Sequence, residues 1–183
     1  MRKHARLLAL ATFLVLGGSL GLGFALGSAE AADMLKEGDA FPAWKLPDQT
    51  GKPVSSGELL GQTYLLWYYP RAMTPGCTAE GQGLRDRAGE LDAAGVVILG
   101  ISFDSPADNA KFAEQESFRF RLLSDDGSLA QKVGAVDSPD QKVAKRISYL
   151  VGPDGKVKQA YADVDPIAHA GEVVDDVQSG GGS

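Results

Sequence analysis

The order of apolar segments predicts an α/β domain with a mixed central sheet flanked by helices. Three observations carry that expectation. Residues 63–69 (TYLLWYY) and 96–102 (VVILGIS) are continuously apolar, which suits strands buried on both faces of a sheet. A helical pattern lies between them, and strand, helix and strand in that order make a right-handed crossover with a parallel pair. Near the C-terminus, Gly152-Pro153-Asp154-Gly155 separates residues 147–151 from residues 157–161 as an antiparallel hairpin would.

Each element follows from local signals. Residues 33–41 form a polar lead-in, and the turn cluster at 47–51 joins two short extended pieces, 43–46 and 53–54. Pro70 ends the first long strand. Thr74 then reads as a helix N-cap and Pro75 as the first helical residue. Cys77, Gly81, Leu84, Ala88 and Leu91 recur on one inward stripe, with Glu80, Arg85, Asp86, Arg87 and Glu90 off it. A further helix is expected over residues 106–116, a short strand over 120–123 and a short helix over 128–133. Asp165 and Pro166 read as the cap and first residue of a last helix. Its apolar face would carry Ile167, Ala170, Val173, Val174 and Val177, with His169 on the solvated side. This order is compatible with a thioredoxin-like fold, and with other three-layer α/β sandwiches.

The segment from residue 32 to 178 has room for one domain. Before it, Arg2, Lys3 and Arg6 precede an uncharged stretch over residues 7–29, and Ala29-Glu30-Ala31 offers small residues at cleavage spacing. Residues 1–31 are therefore expected to be a signal peptide or a retained membrane anchor. Both place the domain outside the cytoplasm, in the periplasm or on the outer face of the membrane. Residues 179–183 read as a flexible Gly/Ser tail. The whole chain carries 18 basic and 24 acidic residues; without Arg2, Lys3, Arg6 and Glu30 the balance is 15 against 23, a net −8. An acidic domain with no basic run excludes a grip on nucleic acid.

The chain has one cysteine, so it can form no internal disulfide. Free cysteines usually fill space in a core. Cys77, however, falls in the first turn of a helix that begins just beyond the C-terminal end of a central strand, a usual place for ligands in α/β folds. Unpaired backbone N–H groups and the positive end of the helix dipole there favour thiolate over thiol, and the thiolate is the nucleophile. His4 and His169 with one cysteine fall short of a usual zinc set. Trp44 and Trp67 are expected in the core or at its edge.

The run from Tyr68 through Pro70, Thr74 and Cys77 to Thr78 resembles the active-site loop of peroxiredoxins, Pro-x-x-x-Thr/Ser-x-x-Cys. Its continuation through Gly83-Leu84-Arg85-Asp86 is similar to the bacterioferritin comigratory protein, or peroxiredoxin Q, branch. So are Leu99-Gly100-Ile101-Ser102, Leu122-Leu123-Ser124-Asp125, and Arg146-Ile147-Ser148-Tyr149-Leu150-Val151 with Asp154-Gly155. The resemblance spans about residues 38–177. It implies a thioredoxin-like fold and a thiol peroxidase, without a cofactor, that reduces hydrogen peroxide and organic hydroperoxides. Cys77 would attack the peroxide and become a sulfenic acid. Thr74 would hydrogen-bond the thiolate or the peroxide, Arg146 would stabilise the thiolate and the leaving oxygen, and Pro70 would cover the site. Glu80 would orient Arg146. Thr74 has a plainer role as an N-cap, and Arg146 as a surface ion-pair partner.

One departure matters. Many members of this branch carry a resolving cysteine five residues after the first, and here that position is Gln82. The expected partners are a peroxide and an external thiol, either a thioredoxin-like protein or a small thiol, with the enzyme a monomer or dimer. Two rival readings fit parts of the sequence. A disulfide oxidoreductase needs Cys-x-x-Cys, and Thr74-Pro75-Gly76-Cys77 supplies only its second thiol. A non-enzymatic thioredoxin-fold binding module tethered at the membrane would have no need of an acidic thiol.

Overall fold

The computed structural model describes residues 31–180. Two short strands, β1 (Lys45–Pro47) and β2 (Pro53–Ser55), form a separate antiparallel pair. The main elements are β3 (Thr63–Tyr68), α1 (Pro75–Asp86), α2 (Ala88–Ala93), β4 (Val96–Ser102), α3 (Pro106–Glu116), β5 (Arg121–Ser124), α4 (Ser128–Lys132), β6 (Ile147–Val151), β7 (Val157–Tyr161) and α5 (His169–Gly180). The central sheet runs β5-β4-β3-β6-β7. β3, β4 and β5 are parallel, while β6 and β7 are antiparallel to their neighbours, so the sheet is mixed, as the sequence predicts.

Period-two alternation divides β3 between two cores. Tyr64, Leu66 and Tyr68 face the core shared with β1, β2 and α4. Leu65, Trp67 and Tyr69 face the core shared with α1, α2, α3 and α5. Both faces are covered, which is why the β3 segment carries no polar alternation. On the helical side Trp67 meets Phe118 edge-on at 6.5 Å, and Phe118 meets Phe112 at 5.0 Å. Gly81 lets α1 settle onto this aromatic layer: a Cβ there would lie 2.4 Å from Phe118 Cζ and 2.9 Å from Trp67 Cη2. Trp44 and Trp67 are core residues, as expected.

Several elements differ from the sequence expectation. The helix after Thr74 is two helices that break at Arg87, whose N–H bonds the carbonyls of Arg85 and Gly83. The inward stripe survives the break, because Cys77, Gly81, Leu84 and Leu91 are all buried. α5 begins at His169, not Pro166. Asp165 caps a preceding turn, its carboxylate accepting from the N–H of Ile167 at 2.8 Å. That turn leaves Ile167 83% exposed, off the apolar face assigned to it. α5 also runs on through Ser179 and Gly180, which were expected in the tail. Residues 1–30 and 181–183, and with them the targeting segment, lie outside the described residues. No helix among the described residues is long and apolar enough to cross a membrane.

Candidate active site

The site forms where the β3–α1 loop meets the start of β6. Tyr69 is held by the carbonyl of Ile101 at 3.0 Å through its N–H, and by Asn109 at 2.7 Å through its hydroxyl. The loop is then pinned by Asp104, which accepts from the N–H of Ala72 at 2.8 Å. Met73 adopts the left-handed conformation with φ 61°, strained for a residue with a side chain, and lies on the exposed rim. Thr74 is the N-cap by backbone geometry, with φ −87° and ψ 150°. Its side chain makes no capping bond; the hydroxyl donates instead to the Arg71 carbonyl at 2.9 Å. Neither expected bond of Thr74, to a helix N–H or to Cys77, is therefore formed in this state. Pro70 is half-buried at the loop entrance.

Cys77 is the third residue of α1 and is fully buried. The first amide of the helical ladder is that of Thr78, which bonds the Thr74 carbonyl at 2.8 Å. The sulfur thus sits among N–H groups that the helix itself does not use. Arg146, 69 residues downstream, places Nη2 3.4 Å from Cys77 Sγ. Its Nη1 donates to Glu80 Oε2. Burial disfavours charge on Arg146, but its contacts with Cys77 and Glu80 outweigh this, and its affinity for the proton is raised. Gly76 makes room for this approach, since a Cβ there would lie 3.1 Å from Arg146 Nη2 and 3.7 Å from Pro166 Cγ. Arg146 is not a surface ion-pair partner, because it touches the Cys77 thiol and a fully buried carboxylate.

Glu80 corrects one expectation. It was placed off the inward stripe, yet it is fully buried. Its position three residues after Cys77 puts it on the same helical face, and Arg146 offsets the burial of its charge. Burial raises its pKa to about 7, with the Trp67 indole and Arg146 opposing the rise. The indole N–H is directed at Glu80 but falls short of hydrogen-bond geometry, so Trp67 Nε1 and Glu80 Oε1 are both without a hydrogen-bond partner among the described residues.

His169 corrects another. Expected on a solvated face, it is fully buried, with Nε2 2.9 Å from Ser148 Oγ and 4.0 Å from Glu80 Oε1. Tyr161 packs edge-on against the ring at 5.0 Å. Burial, and then the positive charge of Arg146, hold its pKa down to about 4. His169 lies four residues before Val173, so helical spacing alone places it on the inward stripe of α5. Ser148 stands in the Arg146–Val151 run that resembles the peroxiredoxin Q branch, though no role was read from it; Asp104 carried no sequence signal, because it reaches the loop through a tertiary contact.

Gln82 is half-buried, and its amide donates to Glu116 Oε2 at 2.7 Å. Arg85 donates to the backbone carbonyl of Glu116 at 2.9 Å. The middle of α1 is thereby tied to the end of α3.

The AhpC/TSA family profile matches residues 38–160. Peroxiredoxin Bcp of Escherichia coli K12 is 41% identical over 141 residues, covering 74% of this chain and 90% of the relative. Among solved structures, peroxidoxin BcpB of Mycobacterium tuberculosis superposes with a TM-score of 0.74 at 35% identity, covering 79% of this chain and 97% of that one. The bacterioferritin comigratory protein of Xanthomonas campestris, described for its alkyl peroxide reduction activity, superposes at 0.70 with 28% identity, covering 82% and 98%. With a thioredoxin fold and a cysteine, arginine and carboxylate brought together at its strand ends, this chain belongs to the AhpC/TSA family, in the Bcp or peroxiredoxin Q branch of the thiol peroxidases.

Proposed function

We propose that this chain is a single-cysteine peroxidase, in which Cys77 reduces hydrogen peroxide and organic hydroperoxides and an external thiol resolves the product. The observation that supports it most is the guanidinium of Arg146 on the Cys77 sulfur in a chain with no other cysteine. The Cys77 thiolate attacks one peroxide oxygen in line. The S–O bond forms as the O–O bond breaks, leaving a sulfenic acid and an alcohol or water. Arg146 stabilises the thiolate beforehand and the leaving oxygen during bond breaking. The alkyl peroxide activity of the Xanthomonas campestris relative supports the organic substrate.

In this reading Thr74 turns its hydroxyl from the Arg71 carbonyl to the incoming peroxide, and Pro70 limits water at the entrance. Resolution requires movement, because Cys77 is fully buried and a thiol must reach its sulfur. The Gln82 and Arg85 ties to Glu116 confine that opening to the loop and the first turn of α1. A small thiol or the exposed thiol of a thioredoxin-like protein then forms a mixed disulfide, which a second thiol releases. We place the domain outside the cytoplasm on the strength of its N-terminal segment.

The test is peroxide consumption by the chain from residue 32, with a panel of small thiols and a thioredoxin-like protein as donors. Turnover is expected with at least one donor and none in Cys77→Ser. Near-wild-type turnover by Cys77→Ser would refute the assignment. N-terminal sequencing of protein from the native host should find Ala32 first; an intact Met1 in membranes would show a retained anchor.

A further inference from the structure

Four ionisable groups meet in the buried space behind the thiol. Cys77 and Glu80 come from α1, Arg146 precedes β6, and His169 opens α5; Cys77, Glu80 and His169 are each fully buried. The other polar groups around them are Trp67 of β3, Tyr69 just after it, Ser148 of β6 and Tyr161 of β7, all without charge at neutral pH. Arg146 is the one permanent cation of the set, and it contacts two acids at once, Cys77 through Nη2 and Glu80 through Nη1.

One buried cation balances one buried anion, and a second anion in low dielectric is costly. If Cys77 and Glu80 were both ionised, the side chains of the cluster would carry a net negative charge, which the free N–H groups of the first turn of α1 offset only in part. The geometry offers a place for the proton that removes this charge. Glu80 Oε1 has no hydrogen-bond partner among the described residues, and it lies 4.0 Å from His169 Nε2.

We infer that Glu80, backed by His169, is an internal proton store: it holds a proton while Cys77 is a thiolate and gives it up as the leaving oxygen of the peroxide is released. The inference rests on the peroxidase reading and adds a source for the proton that reaction consumes. Cys77 thiolate, ROOH and protonated Glu80 become Cys77 sulfenic acid, ROH and Glu80 carboxylate. The S–O bond forms and the O–O bond breaks. Sulfur loses two electrons to the peroxide, and the proton on Glu80 ends on the alkoxide oxygen. The buried cluster is neutral before and after. Two external thiols, R′SH, then return the sulfenic acid to Cys77 thiol, giving R′SSR′ and water, and that thiol reloads Glu80 as it ionises. The displaced acidities agree: burial holds the Glu80 carboxyl up at about 7 and the His169 imidazole down at about 4, so a shared proton rests on the carboxyl. The neutral His169 ring meets Ser148 Oγ at 2.9 Å through Nε2, and Glu80 Oε1 lies 4.0 Å from the same nitrogen, outside hydrogen-bond reach, so the imidazole lines the proton's site without holding it.

The experiment is single-turnover oxidation of the reduced chain by one equivalent of hydrogen peroxide, near pH 8, about a unit above the Glu80 carboxyl, in weakly buffered solution with a pH-indicator dye. Thiolate ultraviolet absorbance reports the sulfur, and mass spectrometry after dimedone trapping counts the sulfenic acid. Wild type should lose its thiolate signal with almost no net proton taken from solution. Glu80→Gln keeps an acceptor for Arg146 but has no proton to give, and should take up about one proton per sulfenic acid formed, whatever its rate. As a measurement independent of that variant's folding, infrared difference spectra of wild type should show the carbonyl band of a protonated buried carboxyl lost on oxidation. Uptake of about one proton per thiolate by wild type, equal stoichiometries in the two proteins, or an unchanged carboxyl band would each overturn the store while sulfenic acid still forms. Absence of sulfenic acid would overturn the peroxidase reading and the store with it.

Discussion

Replacing His169 with Asn should change how stability depends on pH, in a direction set by the burial of two groups. The imidazole is held from 6.5 down to about 4, so it stays neutral in the folded protein where the unfolded chain takes up a proton. Its contribution is complete above pH 6.5 and is lost as pH falls to about 4. Glu80 behaves oppositely. Its carboxyl is held from 4.5 up to about 7, so its contribution is complete below pH 4.5 and is lost as pH rises to about 7. In wild type the two slopes offset each other between about pH 4.5 and 6.5. Each displacement corresponds to about 3 kcal/mol, at roughly 1.4 kcal/mol per pH unit. Both side chains are fully buried, so solvent screening takes little from that figure. His169→Asn removes the imidazole titration and leaves an amide within reach of Ser148. Other titrating groups, such as Asp125, are common to both proteins and cancel in the difference. The variant should therefore gain about 3 kcal/mol relative to wild type as pH falls from 6.5 to 4. Urea unfolding at a series of pH values, followed through the buried Trp67, measures the difference directly. A difference that stays flat within about 0.5 kcal/mol would show that His169 titrates normally in the fold, and would refute the argument.

Three further outcomes follow from the same contacts. Arg146→Ala should slow both alkylation and peroxide oxidation of Cys77 by at least about tenfold near neutral pH, the scale of losing one electrostatic contact to the transition state; unchanged rates would place Arg146 outside the chemistry. Gly81→Ala should destabilise by about 1–3 kcal/mol through overpacking against Phe118 and Trp67, whereas Gly89→Ala, with nothing within 4 Å of the added carbon, should stabilise by up to about 1 kcal/mol; equal unfolding midpoints would contradict the packing described. Gln82→Cys should form an intrachain disulfide with Cys77 after peroxide treatment, seen as loss of two hydrogens per chain. An intact helix holds the two Cα atoms about 8–9 Å apart, beyond disulfide reach, so helicity must fall as the bond closes. A variant that stays sulfenic or only dimerises would show that α1 is too rigid for a two-cysteine cycle.

The sequence by itself determined the sheet and marked Cys77 as the candidate nucleophile. Residues 63–69 and 96–102 read as buried strands because each packs on both faces, and that leaves an unbroken apolar run. Cys77 was legible because Thr74 and Pro75 mark a helix start, and a helix start is a local event. Arg146 was named from resemblance alone; its approach to Cys77 across 69 residues is set by the antiparallel pairing of β6 with β3. Only the tertiary structure decided the rest of the site. Glu80 and His169 are residues whose polarity assigns them to solvent, although helical spacing puts each on the inward side of its own helix. They stay buried because α1, α5 and β6 converge and bring Arg146 and Ser148 to them. A helical period tells which side of a helix faces inward. It does not tell which polar groups meet there, and desolvation follows from that meeting.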